Sequence, residues 1–254
     1  MGAANRKPTT TAQFIEQFPD CFFCGGQRRS TTREHMPPKS LFDNSHRPNK
    51  LVMPACRECN CGTSTADLIA AVVSRFHYAP RSQEIADYNK LIARVRKQAP
   101  DLLQEWTRSD DVSKVTLGPL TIRQLNLFAH KAVLALFFEH ARQPLPITGG
   151  VCAYWKSREE FAQGGIPQFL LDMLPEYGTL VQGKWNESKT FQYRHAANAE
   201  HGFFGCIAKL RRGLLVTGFA ATNASVLRPD DGIDWIIPTD PVRLLDHPRF
   251  QKKL

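Results

Sequence analysis

"CFFCGGQRRSTTREHMPPKSLF" (residues 21–42) opens with two cysteines at the spacing of a metal knuckle and carries Glu34-His35 ten residues after the second. A second pair, Cys56-x-x-Cys59, follows in "PNKLVMPACRECNC" (48–61). The knuckles are 31 residues apart, and four thiolates in this pattern suit a tetrahedral zinc ion (Zn²⁺) held by Cys21, Cys24, Cys56 and Cys59. A closed four-sulfur shell has no open coordination position, so this zinc holds the fold and its binding energy counts as folding energy. Cys61 is an alternative fourth ligand, but the C-x-x-C spacing favours Cys59. A zinc that only holds a frame needs no acid beside a histidine. The pair therefore asks for a role of its own.

Composition bounds that role. The chain has 254 residues, 42% hydrophobic and 10% aromatic, enough to build a core and too apolar for a disordered chain. Its net charge of +9 favours an anionic partner, nucleic acid first among them. The excess is spread: residues 1–75 hold 10 Lys/Arg against 6 Asp/Glu, leaving 23 against 18 in the rest. The N-terminal "MGAANRKPTTTAQF" lacks the apolar core of a signal peptide, and no run approaches the length of a membrane span. Arg6 stands where a myristoylation signal needs Ser or Thr. A cytoplasmic chain without membrane contact is expected. In that compartment paired cysteines read as metal ligands before disulfides. Of the seven cysteines, Cys152 and Cys206 sit alone among apolar neighbours and read as small buried hydrophobes.

The fold class expected is α+β. A polar N-terminus (1–13) precedes the knuckle unit (14–76), and an α+β region (77–254) follows. "TSTADLIAAVVSRFHY" reads as a helix capped by Ser64 or Thr65, with Asp67 favoured in its first turn by the helix dipole. A second helix is expected over Ser82–Trp106, interrupted at Pro100. A third, over Thr121–Ala141, carries a broad apolar stripe and is expected to centre a second core. "GGVCAYW", "TFQYRHA", "GFFGCIAKL" and "GLLVTGFA" read as antiparallel strands, with Arg211-Arg212-Gly213 as a turn between the last two.

In the segment 21–75 the order of motifs resembles the HNH endonucleases, the ββα-metal family, and in particular their zinc-containing branch. The residues that carry the resemblance are "REHMPP", Asn49 ahead of the second knuckle, and Cys59 followed directly by Asn60. The resemblance implies a zinc-stabilised ββα unit that cleaves DNA with the help of a divalent ion, Mg²⁺ or Mn²⁺. It makes His35 the general base, Glu34 and Asn60 the ion ligands, and Asn49 the residue that orients the loop around His35. Chemistry agrees with these roles. Imidazole accepts a proton from water near neutral pH, a cation offsets charge on a phosphate, and Mg²⁺ is content with one carboxylate and one amide oxygen. Glu is longer than the Asp more usual in this family. On an extended strand Glu34 and His35 point to opposite faces, so a local bend is expected to bring both to one side.

Two rivals stand beside this reading: a zinc module that grips nucleic acid without cutting it, and a nuclease effector gated by the C-terminal region, with phage defence as one setting. Lys39, Arg33, Arg47 and Arg57 could meet phosphate, and His46 is read as a loop histidine. His195 and His201 lie too far from any further ligand pair to suggest a metal. Trp155, Tyr154, Phe203 and Phe204 read as core aromatics before stacking platforms. Oligomeric state and protein partners are not legible in the sequence.

Overall fold

The computed structural model describes residues 10–42, 51–76, 82–108, 115–157, 160–161, 163, 190–198, 200, 202–223 and 235–251. Asn49, His46, Arg47 and His201 lie outside them. A short helix α1 (Thr11–Gln17) leads into the first knuckle and strand β1 (Thr32–His35), which pairs antiparallel with β2 (Val52–Ala55). Helices α2 (Arg57–Gly62) and α3 (Ser64–Val73) follow, then α4 (Ser82–Gln98) and α5 (Pro100–Gln104), two-residue strands β3 (Thr107–Arg108) and β4 (Val115–Thr116), and α6 (Pro119–Ala141). Four antiparallel strands, β5 (Gly150–Ser157), β6 (Phe191–Asn198), β7 (Phe203–Leu210) and β8 (Leu214–Ala221), form one sheet in the order β5-β8-β7-β6. Helix α7 (Pro241–Asp246) and a 3-10 turn (Pro248–Gln251) follow the sheet.

These elements form where local chemistry places them. Pro100 cannot donate within a helix, so α4 stops at Gln98 and α5 restarts with the proline in its first turn. The same preference starts α6 at Pro119, two residues ahead of the expected Thr121. The helix expected after Ser64 starts earlier. Cys56 caps α2, its sulfur accepting the Cys59 N–H at 3.4 Å, so the second knuckle is itself a helix N-terminus. Ser64 is the first residue of α3 rather than its cap, and its hydroxyl donates back to the Cys61 carbonyl.

Helix α6 organises the molecule. All fourteen residues from Leu125 to Phe138 are buried, as expected of a helix wrapped on every side. One side packs on β5 and β8, the other on α3. The sequence points to a second core here, separate from the knuckle unit. Among the described residues one large apolar core instead runs from Phe22 and Phe23 beside the first knuckle through Ile69 and Phe128 to Val216 in the sheet, with a separate small cluster of Ile207, Leu215 and Phe219. The large core is shared because α3 buries Ala66 and every residue from Leu68 to Val73, more apolar surface than the small hairpin alone can cover.

The β7–β8 hairpin seals the far end of α3. Its three-residue turn, Arg211–Gly213, joins Leu210 to its partner Leu214, as the sequence suggests. The left-handed residue is Arg211 (φ 51°), whose guanidinium donates to the Leu41 carbonyl at 2.7 Å. Gly213 serves close approach. Its N–H donates to the Ser74 carbonyl (3.0 Å), and a Cβ there would lie 2.5 Å from the Val73 carbonyl and 2.8 Å from that of Phe76. Backbone cannot yield as a side chain can. Gly213→Ala is therefore expected to cost about 1–3 kcal/mol, the range for overpacking, read as a lower thermal midpoint against wild type.

Candidate metal centre

The two knuckles converge because β1 and β2 pair between them. The loop after Cys21 folds back on the hairpin through Phe22 N–H to the Pro54 carbonyl (2.9 Å) and Thr31 N–H to the Ala55 carbonyl (2.9 Å). Cys56 follows β2 directly, so one strand's length sets the distance between the pairs. The result is a group of four buried sulfurs, from Cys21, Cys24, Cys56 and Cys59, all within 4.8 Å of one another. Zinc bonded to four sulfurs at about 2.3 Å holds them roughly 3.8 Å apart, so the group can hold a zinc ion with small adjustments. The Cys24 thiol is pulled down to about 4 by the neighbouring thiols of Cys21 and Cys59. Burial pushes the Cys56 thiol up, and contact with the neighbouring thiols pushes Cys59 up. One proton-rich cluster with a single favoured thiolate is what four crowded thiols form before a cation replaces their protons. Cys61 is exposed and outside the group, which leaves Cys59 as the fourth ligand.

Glu34 and His35 lie side by side on a regular strand. The expected bend is absent: Glu34 pairs with Met53 and His35 with Val52 in unbroken register. Alternation puts Thr32 and Glu34 on the core face, Arg33 and His35 on the other. Glu34 is 6% exposed, whereas His35 is half-buried. Asn60 comes to the Glu34 side of the strand. Its side-chain amide donates to Thr32 Oγ1 at 2.9 Å and toward the Arg33 carbonyl at 3.4 Å, tying α2 to β1. Arg33 lies over the Phe14 ring of α1 and donates to the Thr10 carbonyl. Arg57 and Lys39 are exposed.

The bend is absent because Glu34 has a partner inside. Lys131, from the middle of α6, brings its Nζ to 3.1 Å from Glu34 Oε1, 2.7 Å from Asp67 Oδ2 and 3.1 Å from Thr63 Oγ1. Its side chain is 1% exposed. Glu34 Oε1 also accepts the His35 N–H at 3.0 Å, and Thr63 Oγ1 donates to the Cys59 carbonyl at 2.9 Å. One ammonium thus links the Glu-His strand, the second knuckle and α3. Asp67 lies in the first turn of α3, as expected, and also serves this cluster. Burial pushes its carboxyl up to about 7 despite the pull of Lys131, and its Oδ1 is buried without a hydrogen-bond partner among the described residues. Burial works against the Lys131 ammonium, but the two carboxylates outweigh it and hold its pKa above the usual value.

Lys131 escapes sequence reasoning because its partners lie 64 and more residues away. The signal that could reveal it is a lone charge inside "NLFAHKAVLALFF" (126–138), with apolar residues on every helical face around it. His130 next to it is equally unusual. Its ring sits 5.9 Å from those of Phe23 and Phe250, and its Nε2 has no hydrogen-bond partner among the described residues. Burial, with nearby Arg249 and His247, lowers its pKa to about 3. The folded state therefore refuses a proton that the unfolded chain accepts below about 6.5. Stability attributable to this site is full above that pH and declines as the pH falls toward 3, by about 1.4 kcal/mol per unit. His130→Phe is expected to flatten the acid side of the stability profile, measured by urea unfolding at neutral pH and near pH 5.

The other sequence candidates fall into the core. Trp155 donates through Nε1 to Asn126 at 2.8 Å, and Phe204 is 2% exposed. Phe203 packs on Phe219 at 5.2 Å, and the Tyr154 ring lies under Arg249. Cys152 and Cys206 are fully buried, and burial raises the Cys206 thiol to about 12. His195 stacks on His140 at 3.5 Å, and its Nδ1 has no hydrogen-bond partner among the described residues. Among the described residues no helix is long and apolar enough to cross a membrane.

No known protein family, curated protein or solved structure matches this chain.

Proposed function

We propose that the chain is a zinc-stabilised endonuclease of the HNH type that cleaves phosphodiester bonds in DNA. The observation that carries the reading is the assembly of one hairpin and one helix around the four-cysteine group, with Asn60, directly after the last cysteine, hydrogen-bonded across to the strand that presents His35. In that arrangement His35 faces away from the core and accepts a proton from the attacking water. Arg33 shares its face of β1, and the chain's net charge of +9 favours the approach of a polyanion. Glu34, on the opposite face of β1, fixes the strand by accepting the His35 N–H.

The divalent ion that the resemblance implies, Mg²⁺ or Mn²⁺, would be held by the carboxylate of Glu34 and the amide oxygen of Asn60, and it would supply positive charge at the phosphate. Carboxylate and amide oxygens are donors that such an ion takes, but the ion fits here only with Lys131 displaced from Glu34. The charge at Glu34 is already met by Lys131 at 3.1 Å. That contact favours the second reading, a zinc module that binds nucleic acid without cutting it. Incubating supercoiled plasmid with the zinc-loaded chain, in Mg²⁺, in Mn²⁺ and in EDTA, separates the two. Nicked or linear product that His35→Ala does not make supports the nuclease. Retarded but uncut plasmid under every condition supports the binding module.

A further inference from the structure

We propose that Lys131 is the resident cation at Glu34: its ammonium holds the position a divalent ion would take, and such an ion binds there only when the ammonium is removed. The inference takes from the proposed function only the place of the ion, beside Glu34.

Three observations carry it. An ammonium has three N–H donors and no acceptor. All three are matched, by oxygens of Glu34, Asp67 and Thr63 at 2.7–3.1 Å. The group is thus enclosed as a metal ion is, by oxygens from separate elements, β1, the start of α3 and the residue before it. Second, the side chain is 1% exposed, so it is no surface lysine resting on an acid. A buried ammonium persists only when its charge is met, and here that partner is the very carboxylate the resemblance assigns to the ion. Third, the lysine arrives from α6, outside the segment 21–75 that carries the resemblance. The helix on which the rest of the molecule is built therefore supplies the cation that meets Glu34 on the Glu-His strand.

The electrostatic consequence is direct. A divalent ion entering beside Glu34 would meet a fixed positive charge a few ångströms away in a site of low dielectric, and would have to share the carboxylate with it. Removing the ammonium while keeping its length turns that repulsion into an unmet negative charge. Lys131→Met is expected to raise the affinity for Mn²⁺ by roughly a hundredfold or more.

The test uses the full, zinc-loaded chain and Mn²⁺ alone as probe, with free Mn²⁺ followed by electron paramagnetic resonance. Wild type is expected to take up no Mn²⁺ that depends on Glu34. Lys131→Met is expected to gain one Mn²⁺ site, and Glu34→Gln added to it to lose that site. Because Lys131→Met leaves two buried carboxylates facing each other, the double variant Lys131→Met, Asp67→Asn is prepared alongside. It keeps Glu34 and removes the excess charge. Wild type that binds Mn²⁺ in a Glu34-dependent way overturns the proposal. So does a folded, zinc-loaded double variant that binds no more than wild type. If neither variant folds, the wild-type titration decides alone: no Glu34-dependent uptake supports the proposal. Cleavage is scored separately. A variant that gains Mn²⁺ but cuts nothing upholds the role of Lys131 and counts against the nuclease. Wild type that cuts DNA only with Mn²⁺, bound through Glu34, does the reverse.

Discussion

Cys24→Ser yields a chain that no longer retains zinc and melts far below wild type. Cys24 is 1% exposed and sits in a group whose other three sulfurs come from both ends of a 31-residue stretch. A serine oxygen is a poor replacement for a thiolate, and three sulfurs do not close the tetrahedron. Structural zinc contributes on the order of 10 kcal/mol or more of apparent binding energy in small peptides. This chain has a larger core, so a smaller net loss of about 5 kcal/mol is expected, against total stabilities of roughly 5–15 kcal/mol for folded proteins. At about 2–4 °C per kcal/mol for a chain of this size, the thermal midpoint falls by roughly 10–20 °C. Thermal unfolding and zinc content by mass spectrometry read the two effects together. Cys61→Ser is the control, because Cys61 is exposed and outside the group. A Cys24→Ser chain with full zinc and an unchanged midpoint would remove the metal from the account of this fold.

His35→Ala is expected to leave both of those quantities alone and to lower DNA cleavage by about 10²- to 10⁴-fold, the usual contribution of a general base. The side chain is half-buried on the outer face of β1, and the strand's register is held by backbone pairing with β2 and by the Glu34 carboxylate on the other face. On the proposed reading its loss removes the base and leaves the pairing of β1 with β2 in place. Plasmid cleavage, the melting curve and zinc content are measured on the same preparation. If the variant cuts at the wild-type rate, His35 is not the base. If it cuts slowly and also melts early, the role is structural.

What the sequence made legible was local. The C-x-x-C spacing, the Pro100 break, the Arg211–Gly213 turn and the four strands of the sheet are all set within a dozen residues, by backbone chemistry or by alternation. The knuckle partners too could be read, because thiolate spacing says directly which sulfurs can share an ion. What failed were statements about faces. Glu34 and His35 were expected to converge through a bend, but the strand is straight, because an ammonium from α6 draws Glu34 inward. Asp67 does stand at a helix start, but its pairing with the buried Lys131 is invisible there. Both misses have one source. A side chain's direction in a short strand or a first helical turn depends on what packs opposite, and in this chain that is a residue at least 64 positions away. The same holds for α6, whose apolar stripe announced a core but not that it would be shared with α3.

The placement of Lys131 bears on how such a unit can be inherited. A segment of some sixty residues with its own metal frame is the kind of piece that can be spliced into unrelated chains, provided its charges and apolar faces are complete without help. Here they are not. Glu34 and Asp67 have their counter-charge on another helix, and α3 lends that helix the surface it needs to be buried on both sides. A transplant of residues 14–76 would carry two orphaned acids and an uncovered greasy flank. The four-cysteine frame in this protein is therefore not portable alone: a change at Glu34 or Asp67 calls for a matching change at Lys131.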